Sequence, residues 1–566
     1  MTRWLELRSP DASPALQLAC RAQHFRRWEI PRSSYPMTRP GYLTWRAKLK
    51  AQAASQITEL LASPAITPPL PQDAIERTAA LIRKENLSKD EETQVLEDVA
   101  CLVFLDDQFD DFHKRPEIDE EKIIGILRKT WAKMSPKGQE LALWADSSSE
   151  SPPTQPDRNA KPPLGNLIST HDFAAAARES FPPKTLAFVT SAATDLHTHR
   201  RNSEAYSLIG LRPRVLRDVR TVSIATTMLG HRLRTPIFCA PTSLGKTVHP
   251  EGEKDIGRAC KALGTAQVVS TSASFPLGEI VSAVRSHRAP AGTAAAEAEA
   301  EADGSPVPIF FQLYVDKNRA KSEALLRSAS ALGIAGLFLT VDAPVPGKRE
   351  ADERQSISGL VSSPMTGASA KGDAKGGALG RLMGSYIDAG VTWADVAWLR
   401  RHLPPGTPVV LKGVQTAADA RLAAQCGVDA VVLSNHGGRS LDTAPAAVLV
   451  LLEMQRCCPE VFDRLEVFVD GGVARGTDVF KALCLGARAV GIGRGTLYGL
   501  NYGEEGVRRY VEILNDELET TMRMCGITSL DQVHPGFLNT GSVDHLIPTS
   551  DEHPYAKWRR GSGSKL

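Results

Sequence analysis

The sequence predicts an α/β chain, a closed (β/α)8 barrel (the TIM barrel) preceded by a mainly helical region, and three observations predict it. Eight short, β-branched apolar runs fall between residues 235 and 494, most of them separated by helical patterns. Each run ends in a polar or glycine-rich turn. The first 145 residues lack such runs and place apolar residues at three- and four-residue spacing instead.

The runs are TPIFCAPTS (235–243), AQVVSTSA (266–273), PIFFQLYV (308–315) and GLFLTVDAP (336–344), then PVVLKG (408–413), AVVLSNHGG (430–438), EVFVDGG (466–472) and AVGIGR (489–494). Continuous apolar runs alternating with helices mean parallel strands buried on both faces, and eight of them close into a barrel. Before them, Ala15–Trp28, Glu92–Leu105 and Ile123–Met134 read as helices. Residues 146–164 (DSSSESPPTQPDRNAKPPL) are too polar and proline-rich to bury a face and read as a linker. The expected organisation is a helical domain over 1–145, the linker over 146–164, the barrel over 165–548 and a tail over 549–566. Ala289–Pro306 reads as a solvated insertion, and Ser356–Gly377 as a loop rich in Ser, Gly, Ala and Lys.

Composition narrows the class. At roughly 100–200 residues per domain, 566 residues allow more than one domain. Lys and Arg number 67 against 65 Asp and Glu, so nothing demands a nucleic acid or another polyanion. No uncharged apolar run approaches the roughly 18 residues of a membrane span. The nine cysteines form no CxxC pair, the pattern of a reduced intracellular protein.

In a barrel of this kind catalytic groups stand at the C-terminal ends of the strands. Those ends carry Thr242, Ser243, Ser270, Gln312, Tyr314, Thr340, Asp342, Lys412, His436, Asp470 and Arg494. Packing alone needs no such ring, so the ring is the expected site. Asp470-Gly-Gly-Val-Ala-Arg475-Gly and Gly491-Ile-Gly493-Arg494 follow the seventh and eighth runs, where this fold binds phosphate. Glycine admits close backbone approach and arginine supplies fixed charge; ordinary turn glycine is the alternative. His436 stands at the mouth with Arg439 three residues on, Asp342 can orient its ring, and Arg349 adds a second guanidinium. Two planar forks facing a base suit a small carboxylate substrate. Lys412, behind an apolar run, can stabilise negative charge.

These residues resemble those of the FMN-dependent 2-hydroxy acid oxidase and dehydrogenase family, which includes glycolate oxidase and the lactate flavocytochrome. The resemblance runs from Asn166 to Pro548 through HPEGE, FFQLYV, LTVDAP, SNHGGRSLD and DGGVARGTDVFKALCLGA. It implies FMN as cofactor. Ser270, Gln312, Thr340 and Lys412 would then contact the flavin ring, with Ala240 and Thr242 beside it. Asp470, Gly472, Arg475, Gly493 and Arg494 would hold the ribityl chain and phosphate. His436 would be the base, Asp342 its partner, Tyr314 a bond to the substrate oxygen, and Arg349 and Arg439 the carboxylate grip. The implied reaction takes two electrons and two protons from an L-2-hydroxy acid, with oxygen as the expected acceptor and an external cytochrome or quinone as the alternative. No His-Pro-Gly-Gly stretch occurs, so an internal haem relay is not expected. An isomerase on the same phosphate site would not need the histidine with both arginines. A flavin-binding interaction protein with a weakened site is the non-enzymatic alternative. The family also implies a homo-oligomer.

Three departures stand out. Phe188 replaces a family tyrosine whose hydroxyl helps to bind carboxylate. Ser191-Ala-Ala replaces Ser-Gly-Ala. Ser272 replaces a bulky aromatic of glycolate oxidase, which leaves room for a longer substrate side chain. Residues 3–145 resemble an uncharacterised helical family, a domain of unknown function, through RWLELRSPDAS, LACRAQHFRRWEIPRSSYP and LEDVACLVFL. The chain begins inside that pattern, so a longer natural start is expected. Within it His24, Glu97 and Asp98 could serve as metal ligands, against the plainer reading of a surface histidine and solvated carboxylates. The arginines at 21, 26, 27, 32, 39 and 46 form a basic face that could grip an anion.

The chain ends in Ser564-Lys-Leu566, a peroxisomal address read by an import receptor. Without it the expected location is cytoplasmic. Deleting residues 564–566 is expected to turn a punctate tagged protein diffuse by microscopy; unchanged puncta would refute the address.

Overall fold

A computed structural model describes residues 2–9, 11–63, 66, 70–86, 89–105, 127–146, 161–288, 307–356, 361–370 and 379–550. Outside these lie most of the linker, the insertion Ala289–Pro306, part of the stretch Ser356–Gly377 and nearly all of the tail with Ser564-Lys-Leu566. The chain divides into two compact units, Met1–Gln155 and Pro156–Leu566.

The first unit contains α1 (Thr2–Arg8), α2 (Pro14–Ala22), α3 (Arg39–Leu61), α4 (Gln72–Arg83), α5 (Glu91–Val103) and α6 (Pro136–Asp146). Ser13 caps α2 by accepting from the Leu16 N–H at 3.2 Å, and Asp90 caps α5 by accepting from Thr93 at 3.1 Å. Helix α2 stops well short of Trp28. At Arg26 the backbone is left-handed (φ 48°), and a short 3-10 turn, Arg27–Glu29, follows. The run expected to be helical over Ile123–Met134 is helical at 127–131 and then turns, its first residues lying outside the described ones. Helix α3, the longest of the unit, has no strong apolar stripe; it buries Trp45, Ala53, Ala54, Ile57 and Leu61.

Among the described residues, His24, Glu97 and Asp98 are not brought together as a ligand set. Asp98 is fully buried and accepts from Arg8 Nε at 2.7 Å and from Ser135 Oγ at 2.5 Å. Glu97 is bonded by Lys84. Both carboxylates are committed to cations or hydroxyls, and His24 shares neither.

The second unit closes β1 (Ile237–Cys239), β2 (Gln267–Ser270), β3 (Ile309–Leu313), β4 (Leu337–Thr340), β5 (Val409–Val414), β6 (Ala430–Leu433), β7 (Glu466–Asp470) and β8 (Ala489–Ile492) into a parallel barrel, each strand pairing with the next and β8 with β1. All eight coincide with the apolar runs. Alternation divides the side chains cleanly. Phe238, Val268, Phe310, Phe338, Val410, Val432 and Phe468 form one cluster, inside the barrel. Ile237, Val269, Phe311, Leu339, Leu411, Val431 and Val469 join the shell packed on the outer helices. A hairpin, Thr226–Met228 with His231–Leu233, adds Met228 and Leu233 to the inner cluster, so it plugs the N-terminal end and leaves the other end for chemistry.

Phe338 touches Phe238, Phe310 and Phe468 with ring centroids 5.4–6.5 Å apart and is fully buried. Phe338→Ala is expected to cost about 3–5 kcal/mol, read as a lower urea midpoint of barrel unfolding.

Candidate active site

A cleft of about 540 Å³ opens at the C-terminal ends of the strands. Three elements ahead of the barrel help to form it: α7 (Thr170–Ser180), α8 (Pro183–Thr190) and α9 (His197–Leu208). Helix α8 matters most. Like any helix it ends in carbonyls without intrahelical partners. Arg439 Nη1 takes those of Phe188 (2.8 Å), Val189 (3.1 Å) and, just past the end, Ser191 (2.9 Å). Arg494 takes Val189 through Nε (3.0 Å) and Ser191 through Nη2 (2.9 Å), and with Nη1 reaches Gly437 (2.9 Å). Cations at a helix C-terminus also complement its dipole. Phe188 is thereby fixed between two guanidiniums, 5.2 Å from Arg439 and 5.5 Å from Arg349.

His436 follows β6. Its Nδ1–H donates to Asp342 Oδ1 at 2.8 Å, and the Tyr314 hydroxyl lies 3.4 Å from its Nε2. Burial favours a protonated Asp342, but the charges of His436 and Lys412 outweigh it and hold the carboxyl below its ordinary range. Its second oxygen, Oδ2, is buried without a hydrogen-bond partner among the described residues. Burial, then the Asp342 charge, pushes the Tyr314 phenol well above its usual range, so it remains a donor. The turn holding the histidine has three successive left-handed residues, His436 (φ 58°), Gly437 (61°) and Gly438 (75°). A buried amide pair anchors it to α9: Asn435 Nδ2 donates to Asn202 Oδ1 at 2.7 Å, and Asn202 Nδ2 donates back at 2.8 Å.

Lys412 of β5 is buried, 3.0 Å from Asp470 Oδ2, and donates to Ser434 Oγ at 2.9 Å. Burial disfavours its charge; Asp470 and Asp342 restore it and raise the ammonium above its usual range. The same Ser434 oxygen accepts the His436 backbone N–H at 3.0 Å, so one hydroxyl ties the lysine to the histidine turn.

Most expected residues meet here. Ala240, Thr242, Tyr314, Lys412, Asp470, Gly472, Gly493 and Arg494 line the cleft, as do His436, Arg349 and Arg439. Ser270, Gln312 and Thr340 stand behind its wall in one row: Ser270 Oγ donates to Gln312 Oε1 at 3.1 Å, and Gln312 Nε2 to Thr340 Oγ1 at 2.9 Å. Ser243, in the wall, lies 3.2 Å from Ser270. Arg475 is not among the residues that line the cleft. It occupies the N-cap of the helix Gly476–Cys484 and donates to Glu517 at 2.6 Å. Ser272 lines the cleft as expected, and its hydroxyl lies 3.3 Å from that of Tyr386. Ser434, Asn202 and Tyr386 were not expected; only Ser434, inside the SNHGGR run, carried a signal.

The cleft suits the expected flavin mononucleotide. A Cβ at Gly493 would meet nothing within 4 Å, which leaves bare backbone for a phosphate group. Arg494 spends three of its five N–H groups on carbonyls and keeps the rest. Lys412 places a positive charge deep in the wall.

Known proteins share this arrangement. The family model for FMN-dependent dehydrogenases matches residues 177–540, and one described as a domain of unknown function (DUF4202) matches residues 1–153. The chain is 38% identical to L-lactate dehydrogenase (cytochrome) of Wickerhamomyces anomalus over 72% of this chain and 68% of that one. It is 39% identical to the corresponding Saccharomyces cerevisiae enzyme, of which it spans 62%, and covers 68% of this chain. To the peroxisomal (S)-2-hydroxy-acid oxidase of Oryza sativa subsp. japonica it is 39% identical over 65% of this chain and 94% of that one. Among solved structures, the flavin-binding domain of baker's yeast flavocytochrome b2 superposes with a TM-score of 0.59 at 35% identity, covering 72% of this chain and 96% of that one.

Gly380 sets where Arg349 lies: a Cβ there would stand 1.0 Å from Arg349 Nη2. Gly380→Ala is expected to displace that guanidinium and lower kcat/KM for a 2-hydroxy acid about 10–100-fold, the worth of a charged hydrogen bond, with FMN affinity unchanged in a fluorescence titration.

Proposed function

The chain belongs to the FMN-dependent dehydrogenase family, an FMN oxidoreductase of 2-hydroxy acids, and we propose that it oxidises an L-2-hydroxy acid to the 2-keto acid and passes the electrons to oxygen as hydrogen peroxide. The His436–Asp342 pair facing Arg349 and Arg439 carries this reading.

The substrate carboxylate would lie against Arg349 and Arg439, whose like charges Asp352 only partly offsets. That orientation brings the 2-hydroxyl to His436 Nε2 and the Tyr314 hydroxyl. His436 takes a proton at Nε2, and Asp342 stabilises the imidazolium through Nδ1. FMN, held by the cleft-lining groups with Gln312 and its row behind, supplies the two-electron acceptor. Lys412 keeps its charge through Asp470 and so can balance negative charge gained by the bound cofactor. Phe188 adds no hydrogen bond to the carboxylate, so substrate affinity rests on the two arginines.

Oxygen as acceptor is supported by the C-terminal Ser564-Lys-Leu566, since peroxisomes contain catalase; the import receptor is the corresponding partner. Assembly as a homo-oligomer is part of the same proposal, by family likeness.

The test is oxygen uptake by the purified chain with glycolate, L-lactate and longer L-2-hydroxy acids. Uptake with peroxide is expected, strongest above glycolate in size. Flavin bleaching only without oxygen would instead make it a dehydrogenase with another acceptor, and no reduction at all would leave a flavin-binding protein. His436→Ala is expected to retain FMN but to lose at least about 10²–10⁴-fold in the rate of flavin reduction by stopped flow, the usual worth of general-base catalysis.

A further inference from the structure

The N-terminal unit gathers more positive charge around Glu97 than it can pair. Lys84, a left-handed residue (φ 59°) closing α4, donates to Glu97, and Lys133 Nζ lies 3.9 Å from its other oxygen. The Glu97 side chain is 12% exposed, so that carboxylate is already shared between two lysines. Arg46 and Lys50 stand one turn apart on α3, which packs on α4. Arg27 reaches the same region from its 3-10 turn and stacks on Trp45, 5.1 Å from the ring. Among the described residues, Arg27, Arg46 and Lys50 have no carboxylate partner. Four cations thus face one acid, and Arg27 adjoins them through Arg46.

Their mutual influence shows how close they lie. Surrounding protein, then the charges of Arg27, Arg46 and Lys84, push the His24 imidazole down to about 4. Lys50 is lowered by burial, then by Lys84 and Arg46, with Glu97 alone in opposition. Like charges one turn apart oppose a helix, and Glu97, already bonded by Lys84, relieves them only in part. An anion relieves them. Forked guanidiniums and ammonium groups match phosphate oxygens, and the surplus of charge suits more than one phosphate. The neutral His24 adds a hydrogen-bonding group, and Tyr42, 44% exposed and 5.8 Å from the Trp45 ring, offers an aromatic face beside them.

We propose that the N-terminal unit binds a polyphosphate-bearing small molecule among Arg27, Arg46, Lys50, Lys84 and Lys133. The site is separate from the flavin cleft and owes nothing to its chemistry.

The experiment is isothermal titration of the FMN-saturated full chain with inorganic pyrophosphate and, separately, ATP, at about 150 mM salt so that long-range attraction is screened. Saturable binding is expected, weakened at least about 10-fold in Arg46→Gln/Lys50→Gln, while flavin absorbance and 2-hydroxy acid oxidation are unchanged. Without ligand the double variant should also melt higher than wild type, because repulsion has been removed. ATP binding more tightly than pyrophosphate would identify a nucleotide whose base uses the Tyr42 face; equal binding would identify phosphate alone, and both support the site. No saturable binding of either probe, unchanged affinity in the variant, or equal competition by sulfate would overturn it. If the double variant does not fold, Lys50→Gln and Arg27→Gln singly carry the same comparison.

Discussion

Two arginines hold the end of one helix, and the cleft depends on that contact. Arg439 and Arg494 come from loops after β6 and β8, yet their N–H groups converge on carbonyls of residues 188–191. The helix supplies partial negative charge that lets two half-buried guanidiniums share a small space. Burial and each other's charge, with Arg349, drive Arg439 well below its ordinary range, so the carbonyls are what keep it in place. With them, positive charge is concentrated where a carboxylate and a phosphate are both to be received.

The deeper wall works by the opposite balance. Lys412 sits between Asp470 and Asp342, and His436 shares Asp342. Each charge there has a counter-charge, so the wall is stable before any ligand arrives, whereas the mouth is completed by its ligand. Ser434 couples the two halves, since it serves the lysine with its oxygen and the histidine turn through the same atom. The barrel contributes rigidity: the phenylalanines packed below keep the strand ends from which these groups project at fixed spacing.

The barrel was legible because parallel strands buried on both faces must be continuously apolar, and each such run ended in residues that packing did not require. Most of the site followed from those ends. What stayed hidden was the role of backbone: carbonyls at 188–191 have no sequence signature, so Arg439 and Arg494 read only as ligand-binding groups. The Arg475–Glu517 bond was hidden for a related reason, Glu517 lying 42 residues away in a helix that periodicity could not orient. Helix α3 escaped notice because its buried residues, Trp45, Ala53, Ala54, Ile57 and Leu61, are few over 23 residues and make too weak a stripe for a 3.6-residue period. Helix α2 was drawn too long because the apolar pattern continues beyond Ala22 while the backbone turns left-handed at Arg26.

The left-handed turn at His436 bears on how this site can change over time. A non-glycine residue in that region costs roughly 1–2 kcal/mol, and asparagine, aspartate and histidine tolerate it better than branched or bulky side chains. The conformation therefore filters which substitutions are open at 436 before chemistry is tested at all. Variation is free to explore the cleft walls, where Ser272 and Phe188 already differ from relatives, while the base itself is held by geometry as much as by selection for activity.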